Sequence, residues 1–196
     1  MGLVGCDDGK IPRASSSLIY IMAIHIRSEQ ATDAARITEV TELAFRNAAH
    51  TCGREHCLVE ALRAANALTC SLVAVSDLGI VGHVAASPVT VANASGNWFG
   101  IGPISVLPEC QKQGIGSQLM NAVLAQLRAG GARGCMLVGD PAFYTRFGFK
   151  SDGTLVVPEA PPEVTLNLCF HHCDDHGAVS FHPAFMTALA GSEQTT

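Results

Sequence analysis

The sequence is poor in charge and in aromatic side chains. Only 15% of its 196 residues are charged and 6% are aromatic, with one tryptophan and two tyrosines. Lysine and arginine number 12 against 17 acidic residues, giving a formal charge of −5 and a pI of about 5.8. No basic stripe is present, which argues against a nucleic-acid binder. The acidic balance leans, if anywhere, toward cationic partners. Long hydrophobic runs are missing too. "LIYIMAI", residues 18 to 24, is far shorter than a membrane span. Ahead of it Asp7 and Asp8 cancel Lys10 and Arg13, and no small-x-small cleavage site follows, so no secretory signal is expected. Also absent are Gly-x4-Gly-Lys-Ser/Thr of a Walker A loop and Gly-x-Gly-x-x-Gly of a dinucleotide fold. No internal repeat or second domain is visible.

What remains is 48% hydrophobic, a globular composition long enough for one domain with a real core. Residues 1–21 are rich in Gly, Ser and Asp and read as a leader or extension, disordered in part. Met22 opens the domain, expected over 22–190, with a short tail at 191–196. The eight cysteines are Cys6, Cys52, Cys57, Cys70, Cys110, Cys135, Cys169 and Cys173. Cys70 and Cys135 sit inside apolar runs as small hydrophobes. A chain this long and apolar needs no disulfide framework, so a reducing, cytoplasmic setting is expected.

Hydrophobic periodicity gives the element order. "AIHIRSE" alternates as a strand, and "TDAARITEVTELAFRNA" has helical spacing with Thr32 or Asp33 as cap. A second helix runs from Arg54 to Ala65. "LTCSLVAVSD" and "GIVGHVAASPVTV" read as strands flanking a tight Asp77-Leu78-Gly79 hairpin. "WFGIGPISVL" is a further strand, in which Gly100, Gly102 and Pro103 predict a bulge or a close backbone approach. A helix follows, with a stripe of Ile115, Leu119, Val123 and Leu127, ended by Gly130 and Gly131. "CMLVG" is a short strand. "DPAFYTRF" is a short helix capped by Asp140 with Pro141 at its first position. "FGFKSD" and "VTLNLCF" are strands, and "AVSFHPAF" adds a short strand turning into a helix. The sum is an α/β (mixed, α+β-like) fold: one domain around a central twisted mixed sheet of about six to seven strands, with helices on both faces.

The most informative stretch is "QKQGIGSQLM", residues 111 to 120, set between an apolar strand and an amphipathic helix. Gly114 and Gly116 lack Cβ atoms, so a bulky anion can approach the amides. The first free N–H groups of a helix point outward, where the macrodipole favours negative charge. Ser117 adds a hydroxyl and Lys112 a positive charge. A pyrophosphate fits this description. A plain loop into a surface helix fits it as well, and the glycines alone do not decide.

"ISVLPECQKQGIGSQLM" resembles the acyl-CoA-binding motif of the GCN5-related N-acetyltransferases, Gln/Arg-x-x-Gly-x-Gly/Ala, with Gln111, Gly114 and Gly116 at its defined positions. "FYTRFGF", residues 143 to 149, resembles the family's downstream Tyr-x-x-x-Gly-Phe segment. The element order from about Ala23 to Phe170 also matches, and "GHVAASPVTV" with "VGDPAFYTRFGF" most resembles small bacterial acetyltransferases of the YhbS type. The resemblance implies acetyl-CoA as donor and direct transfer to an amine within a ternary complex. It implies backbone contacts to the acetyl and pantetheine arm from Ile104, Ser105 and Val106, where two strands splay apart. It implies pyrophosphate binding by Gln111, Lys112, Gln113, Gly114, Ile115, Gly116 and Ser117. A homodimer is common in the family.

The chemistry needs a deprotonated amine, a donor to the oxyanion and a proton for the leaving thiolate. Backbone N–H groups near Val106 suit the second task. The family's acid is a tyrosine, which the resemblance places at Tyr144; a phenol with a pKa of about 10 is protonated at pH 7. Read without the motif, Tyr144 is a packing aromatic beside Phe143 and Phe147. No general base is assigned: "FGIGPISV" holds no carboxylate where many relatives carry a glutamate, and His83, Glu42, Glu60 and Glu109 remain candidates. "CFHHCDDH", residues 169 to 176, and the looser set His50, Cys52, His56 and Cys57 are rich in ligand types but lack paired Cys-x2-Cys spacing, so no metal site is expected. Two rival readings stand beside the enzyme: a non-catalytic acyl-CoA-binding module, and a metal-binding or redox protein. The acceptor is not named by the sequence.

Overall fold

The computed structural model describes residues 23–46, 53–94, 96–172 and 174–185. The expected leader and tail, and His50, Cys52 and Cys173 of the ligand-rich sets, lie outside these residues. The elements are β1 (His25–Ser28), α1 (Ala34–Phe45), α2 (Glu55–Ala64), β2 (Cys70–Ser76), β3 (Gly79–Asn93), β4 (Trp98–Val106), α3 (Ile115–Ala129), β5 (Gly134–Val138), α4 (Pro141–Tyr144), β6 (Leu155–Val156), β7 (Thr165–Cys169) and β8 (His176–Phe181).

The sheet has eight strands rather than six to seven, along the path β1-β2-β3-β4-β5-β7. The additional pairing comes from β3. Its fifteen residues outrun β2, so its first half pairs with β2 and its second half with β8 along the same edge. β6 pairs with β8 over two residues. All pairs on the main path are antiparallel except β4–β5. The expected strand "FGFKSD" is reduced to one bridge, Lys150 with Asn167. A turn cuts it short: Asp152 Oδ1 accepts from the Thr154 amide at 3.1 Å and from Asn167 Nδ2 at 2.9 Å, and Gly153 sits at φ +74°.

Helices cover both faces. A Cβ at Gly82 would meet Leu119 Cδ1 at 3.0 Å and Ile115 Cγ2 at 3.4 Å, so α3 lies directly on β3 there. The next residue, His83, pairs with Ser105 and faces the other way. On that face Ser105 Oγ lies 3.2 Å from Thr41 Oγ1 of α1. Ile37, Val40 and Val59 from one layer and Leu119, Met120, Val123 and Leu127 from the other join one buried cluster through the sheet. The start of α1 differs from expectation. A 3-10 turn at Ala31–Asp33 precedes it, and Asp33 accepts from the Gln30 amide at 2.7 Å while pairing with Arg27 at 2.6 Å. The reach back to Gln30 comes from the third position of that turn rather than from a cap on α1.

Close packing seats the sheet's far end. A Cβ at Gly134 would stand 2.6 Å from Trp98 Cη2 and 2.7 Å from the Leu168 carbonyl oxygen. A backbone atom cannot swing away, so Gly134→Ala is expected to cost about 1–3 kcal/mol. Thermal unfolding should show this as a Tm lower by several degrees. Beside it Asp175 accepts from Trp98 Nε1 at 2.8 Å and pairs with Arg133. Burial alone would raise the Asp175 carboxyl, but hydrogen bonds from Arg133 and Trp98 outweigh it and hold it below the usual range. A lowered folded pKa contributes stability above the unfolded value, lost as pH falls through the folded one. Asp175→Ala is therefore expected to cost about 2 kcal/mol in urea unfolding at pH 7, with the gap to wild type closing below about pH 4.

Among the described residues no helix is long and apolar enough to cross a membrane. Cys57, Cys70, Cys110 and Cys135 are free thiols. Cys169 is disulfide-bonded, which departs from the expectation of a chain without cross-links. The other described cysteines are free, so the described residues show no framework of the kind that holds small secreted domains together.

Candidate active site

β4 and β5 pair for only three residues, Trp98–Gly134, Phe99–Cys135 and Gly100–Met136. β4 then continues to Val106 bonded to β3 alone, so the two parallel strands part. The bulge expected from the glycines lies where they separate. Ala85 of β3 faces both Gly102 and Pro103, as the register jumps between Val84–Ile104 and Ala86–Ile101. The Gly102–Pro103 peptide is cis. Beyond the bulge the register decides which groups face the opening. The Leu107 amide donates to the Val81 carbonyl at 2.9 Å, so His83–Ser105 is also a bonded pair. Ile104 and Val106 then turn their N–H and C=O groups away from β3 toward the gap. Of the three expected backbone contacts, Ser105 is the exception: its polar backbone belongs to the β3 ladder and its hydroxyl to Thr41.

The glycine turn closes the mouth of this gap. Gln111 Nε2 donates to the Val106 carbonyl at 3.1 Å, tying the turn to the end of β4. Gln113 Nε2 donates to the Glu109 carbonyl at 3.2 Å. Lys112 at φ +60° and Gly114 at φ +83° reverse the chain, and a Cβ at Gly114 would meet nothing within 4 Å. The first bond of α3 runs from the Gln118 amide to the Gly114 carbonyl at 3.0 Å. The amides of Ile115, Gly116 and Ser117 precede it and have no partner within the helix. Ile115 anchors the turn by burying its side chain in the core. Residues 111 to 114 are exposed, as a surface anion site requires.

α4 approaches from the β5 side. Asp140 caps it as expected, accepting from the Ala142 amide at 2.8 Å. A Cβ at Gly116 would stand 3.5 Å from Phe143 Cζ and 3.9 Å from Val106 Cγ2. Turn, β4 and α4 therefore converge at one point. Tyr144 packs edge-on against Phe143 at 4.9 Å and Phe149 at 6.1 Å. Its ring lies over Gly139, where a Cβ would be 2.5 Å from Tyr144 Cε2. Burial, and secondarily Asp140, push the phenol up to about 12. Its hydroxyl has no hydrogen-bond partner among the described residues. The sequence did not single out Gly139; the only available signal was its place directly after a buried strand and ahead of a capped aromatic helix.

The remaining candidates separate. His83 is fully buried under α1 and α2. Glu42 and Glu60 are held at the helix surface, Glu42 by Arg46 at 3.2 Å and Glu60 by Thr38 at 2.8 Å. Among the described residues no group of three His, Cys, Asp or Glu side chains is placed to hold a metal.

A mixed sheet that splits beside a glycine-opened helix has counterparts among known proteins. Residues 67–151 match the family model described as acetyltransferase (GNAT) domain. The chain is 37% identical over 126 residues to the uncharacterized N-acetyltransferase YhbS of Escherichia coli K12, covering 64% of this chain and 72% of YhbS. Among solved structures it is similar to a GNAT family acetyltransferase from Brucella melitensis in complex with acetyl-CoA. That likeness has 47% identity and a TM-score of 0.74, over 83% of this chain and 98% of the other. It is also similar to Escherichia coli YhbS in complex with CoA, with 30% identity and a TM-score of 0.76, over 84% of this chain and 93% of the other. The chain belongs to the GCN5-related N-acetyltransferase (GNAT) family.

Proposed function

We propose that the protein is an N-acetyltransferase that moves the acetyl group of acetyl-CoA to a primary amine by direct attack in a ternary complex. The observation that carries this reading is the convergence at one point of an exposed glycine turn, the β4 edge that β5 leaves unbonded and α4, the helix that carries Tyr144. Gln111 to Ser117 hold the pyrophosphate, with the amides of Ile115, Gly116 and Ser117 as donors and Lys112 as a rim charge. Gly114 has open space where the anion approaches. Ile104 and Val106 bond the pantetheine arm as a fifth strand would. The Val106 N–H, at the same edge, faces the carbonyl oxygen that gains charge in the tetrahedral intermediate. Tyr144 gives its proton to the departing thiolate.

The turn, Val106 Cγ2 and Phe143 stand on the α3 side of the sheet. The acceptor then enters from the α1–α2 side, so both substrates are present when the bond forms. No acyl-enzyme is required. The donor complexes of the Brucella and Escherichia coli proteins support the donor assignment by similarity.

The test is a panel of free amino acids, polyamines, arylalkylamines and lysine peptides mixed with acetyl-CoA. Free thiol release is followed, with the product mass as control. Amine-dependent release with an acetylated product, at a turnover of about 1–1,000 per second, is the expected result. Binding of acetyl-CoA with no acetylated amine across the panel would favour a binding module instead.

A further inference from the structure

Gly139 joins β5 to α4, at a point where the backbone has no need of a glycine. It is not among the described glycines that hold a left-handed φ, such as Gly114, Gly148 and Gly153. Any residue could follow that chain path. What bars a side chain there is Tyr144. A Cβ at Gly139 would lie 2.5 Å from Tyr144 Cε2, 3.3 Å from Cδ2 and 3.4 Å from Cζ, and these are its three nearest atoms. Carbon atoms in contact sit about 3.5–4.0 Å apart, so one of the two groups would have to move.

The surroundings decide which one. The strand end is braced: Val138 pairs with Thr165, and the Gly139 amide donates to the Val164 carbonyl at 2.9 Å. α4 is braced as well. Asp140 accepts from the Ala142 amide at 2.8 Å, and Thr145 Oγ1 donates to the Pro141 carbonyl at 2.9 Å. The neighbouring rings have little freedom. Phe149 is buried in the core, and Phe143 packs on Phe147 at 5.4 Å with the Arg146 guanidinium 5.0 Å over its ring. A methyl group at position 139 would therefore turn the Tyr144 ring out of its place about its own side-chain bonds. The hydroxyl, at the far end of the ring, would move furthest.

We infer that Gly139 is a positioning residue: its bare backbone leaves the slot in which the Tyr144 ring lies, and so fixes where the phenol meets the departing thiolate. This rests on the enzyme reading above and deepens it. When the carbon–sulfur bond breaks, sulfur keeps the bonding pair and takes the phenol proton, and the phenolate regains one from solvent. Such a transfer is sensitive to placement, and a shift of about 1 Å can cost about 100-fold in rate. The slot also sets the surroundings of the phenol. Burial, and secondarily Asp140, push it up to about 12, which keeps the proton on oxygen until sulfur calls for it.

The experiment compares wild type, Gly139→Ala, Tyr144→Phe and the double variant, with acetyl-CoA and the best amine of the panel above. Gly139→Ala is expected to lower kcat about 100-fold, with the acetyl-CoA dissociation constant unchanged. In the Tyr144→Phe background there is no hydroxyl to misplace, and the same substitution should change kcat by less than about twofold. A purely structural role would add its loss in both backgrounds. The phenol gives a second readout. Tyr20 and Tyr144 are the two tyrosines of the chain, so Tyr20→Phe leaves one phenol to follow by ultraviolet absorbance. At about pH 10, where an ordinary phenol is half ionised, Tyr144 should stay protonated, and adding Gly139→Ala should ionise a large part of it. Where Gly139→Ala is too unstable to assay, Tm decides. Tyr144→Ala removes the clash, and in that background Gly139→Ala should lower Tm no further. Equal loss of kcat with and without the hydroxyl, or of Tm with and without the ring, overturns the inference, as does wild-type kcat in Gly139→Ala. Full turnover by Tyr144→Phe, with Gly139 intact, would instead remove the acid role on which the inference rests. A wild type that binds no acetyl-CoA would fail the enzyme reading itself, which is a different result.

Discussion

Gly114→Glu is expected to fold and to lose acetyl-CoA binding by about 100-fold or more, equivalent to roughly 2.7 kcal/mol. Two effects of the substitution can be ranked. Gly114 sits at φ +83°, a conformation that disfavours side chains, while a Cβ there would meet nothing within 4 Å. The strain is of order 1–3 kcal/mol and acts on folding. A carboxylate held about 4 Å from a phosphate costs roughly 4 kcal/mol at an effective dielectric of about 20, and acts on binding alone. The two are separated by Gly114→Asn, because asparagine tolerates the left-handed region. The readout is the rise in Tm on adding acetyl-CoA. Wild type and Gly114→Asn should be stabilised in proportion to ligand concentration. Gly114→Glu should start at a slightly lower Tm and not move. An equal shift in all three proteins would remove the turn from the proposed site.

Tyr144→Phe is expected to lower kcat by about 100-fold to 10,000-fold, with acetyl-CoA affinity and Tm close to wild type. The ring is the structural part of Tyr144: it packs on Phe143, Phe149 and the bare backbone of Gly139. The hydroxyl bonds to no described residue, so removing it disturbs little of the fold. Because the phenol is pushed up to about 12, it stays protonated throughout the neutral range. Wild-type kcat should therefore show no base limb from Tyr144 below about pH 10. Unchanged turnover in Tyr144→Phe would leave the residue a packing aromatic, and the thiolate would leave without this acid. A protein that only binds acyl-CoA has no turnover to lose.

The sequence marked the candidate site more plainly than the sheet that carries it. Local chemistry marks the turn: two glycines one residue apart, an amide three residues upstream of the first, and an amphipathic helix behind. Those positions hold whatever the rest of the chain does. The bulge in β4 was likewise legible, since Gly102 and Pro103 cannot both serve a regular ladder. The double pairing of β3 was not. Its fifteen residues read as one alternating run, and nothing in that pattern says that one edge is shared between β2 and a strand some ninety residues later. The loss of "FGFKSD" as a strand depends on the Asp152 turn and its bond to Asn167, a contact between distant segments. The Glu29–Ser71–His83 hydrogen-bond chain has the same origin. It joins the residue after β1 to β2 and β3 through side chains that are unremarkable singly, and His83 Nδ1 is left without a partner among the described residues only once the fold buries it.

The central claim is that the splayed mouth between β4 and β5, closed by residues 111 to 117, takes an acyl-CoA. Isothermal titration of the wild-type chain with acetyl-CoA tests it most directly. One molecule bound per chain, with a dissociation constant in the micromolar range, about −8 kcal/mol, is the predicted result. Absence of binding by a folded wild type would contradict the account, leaving a family fold without its donor site.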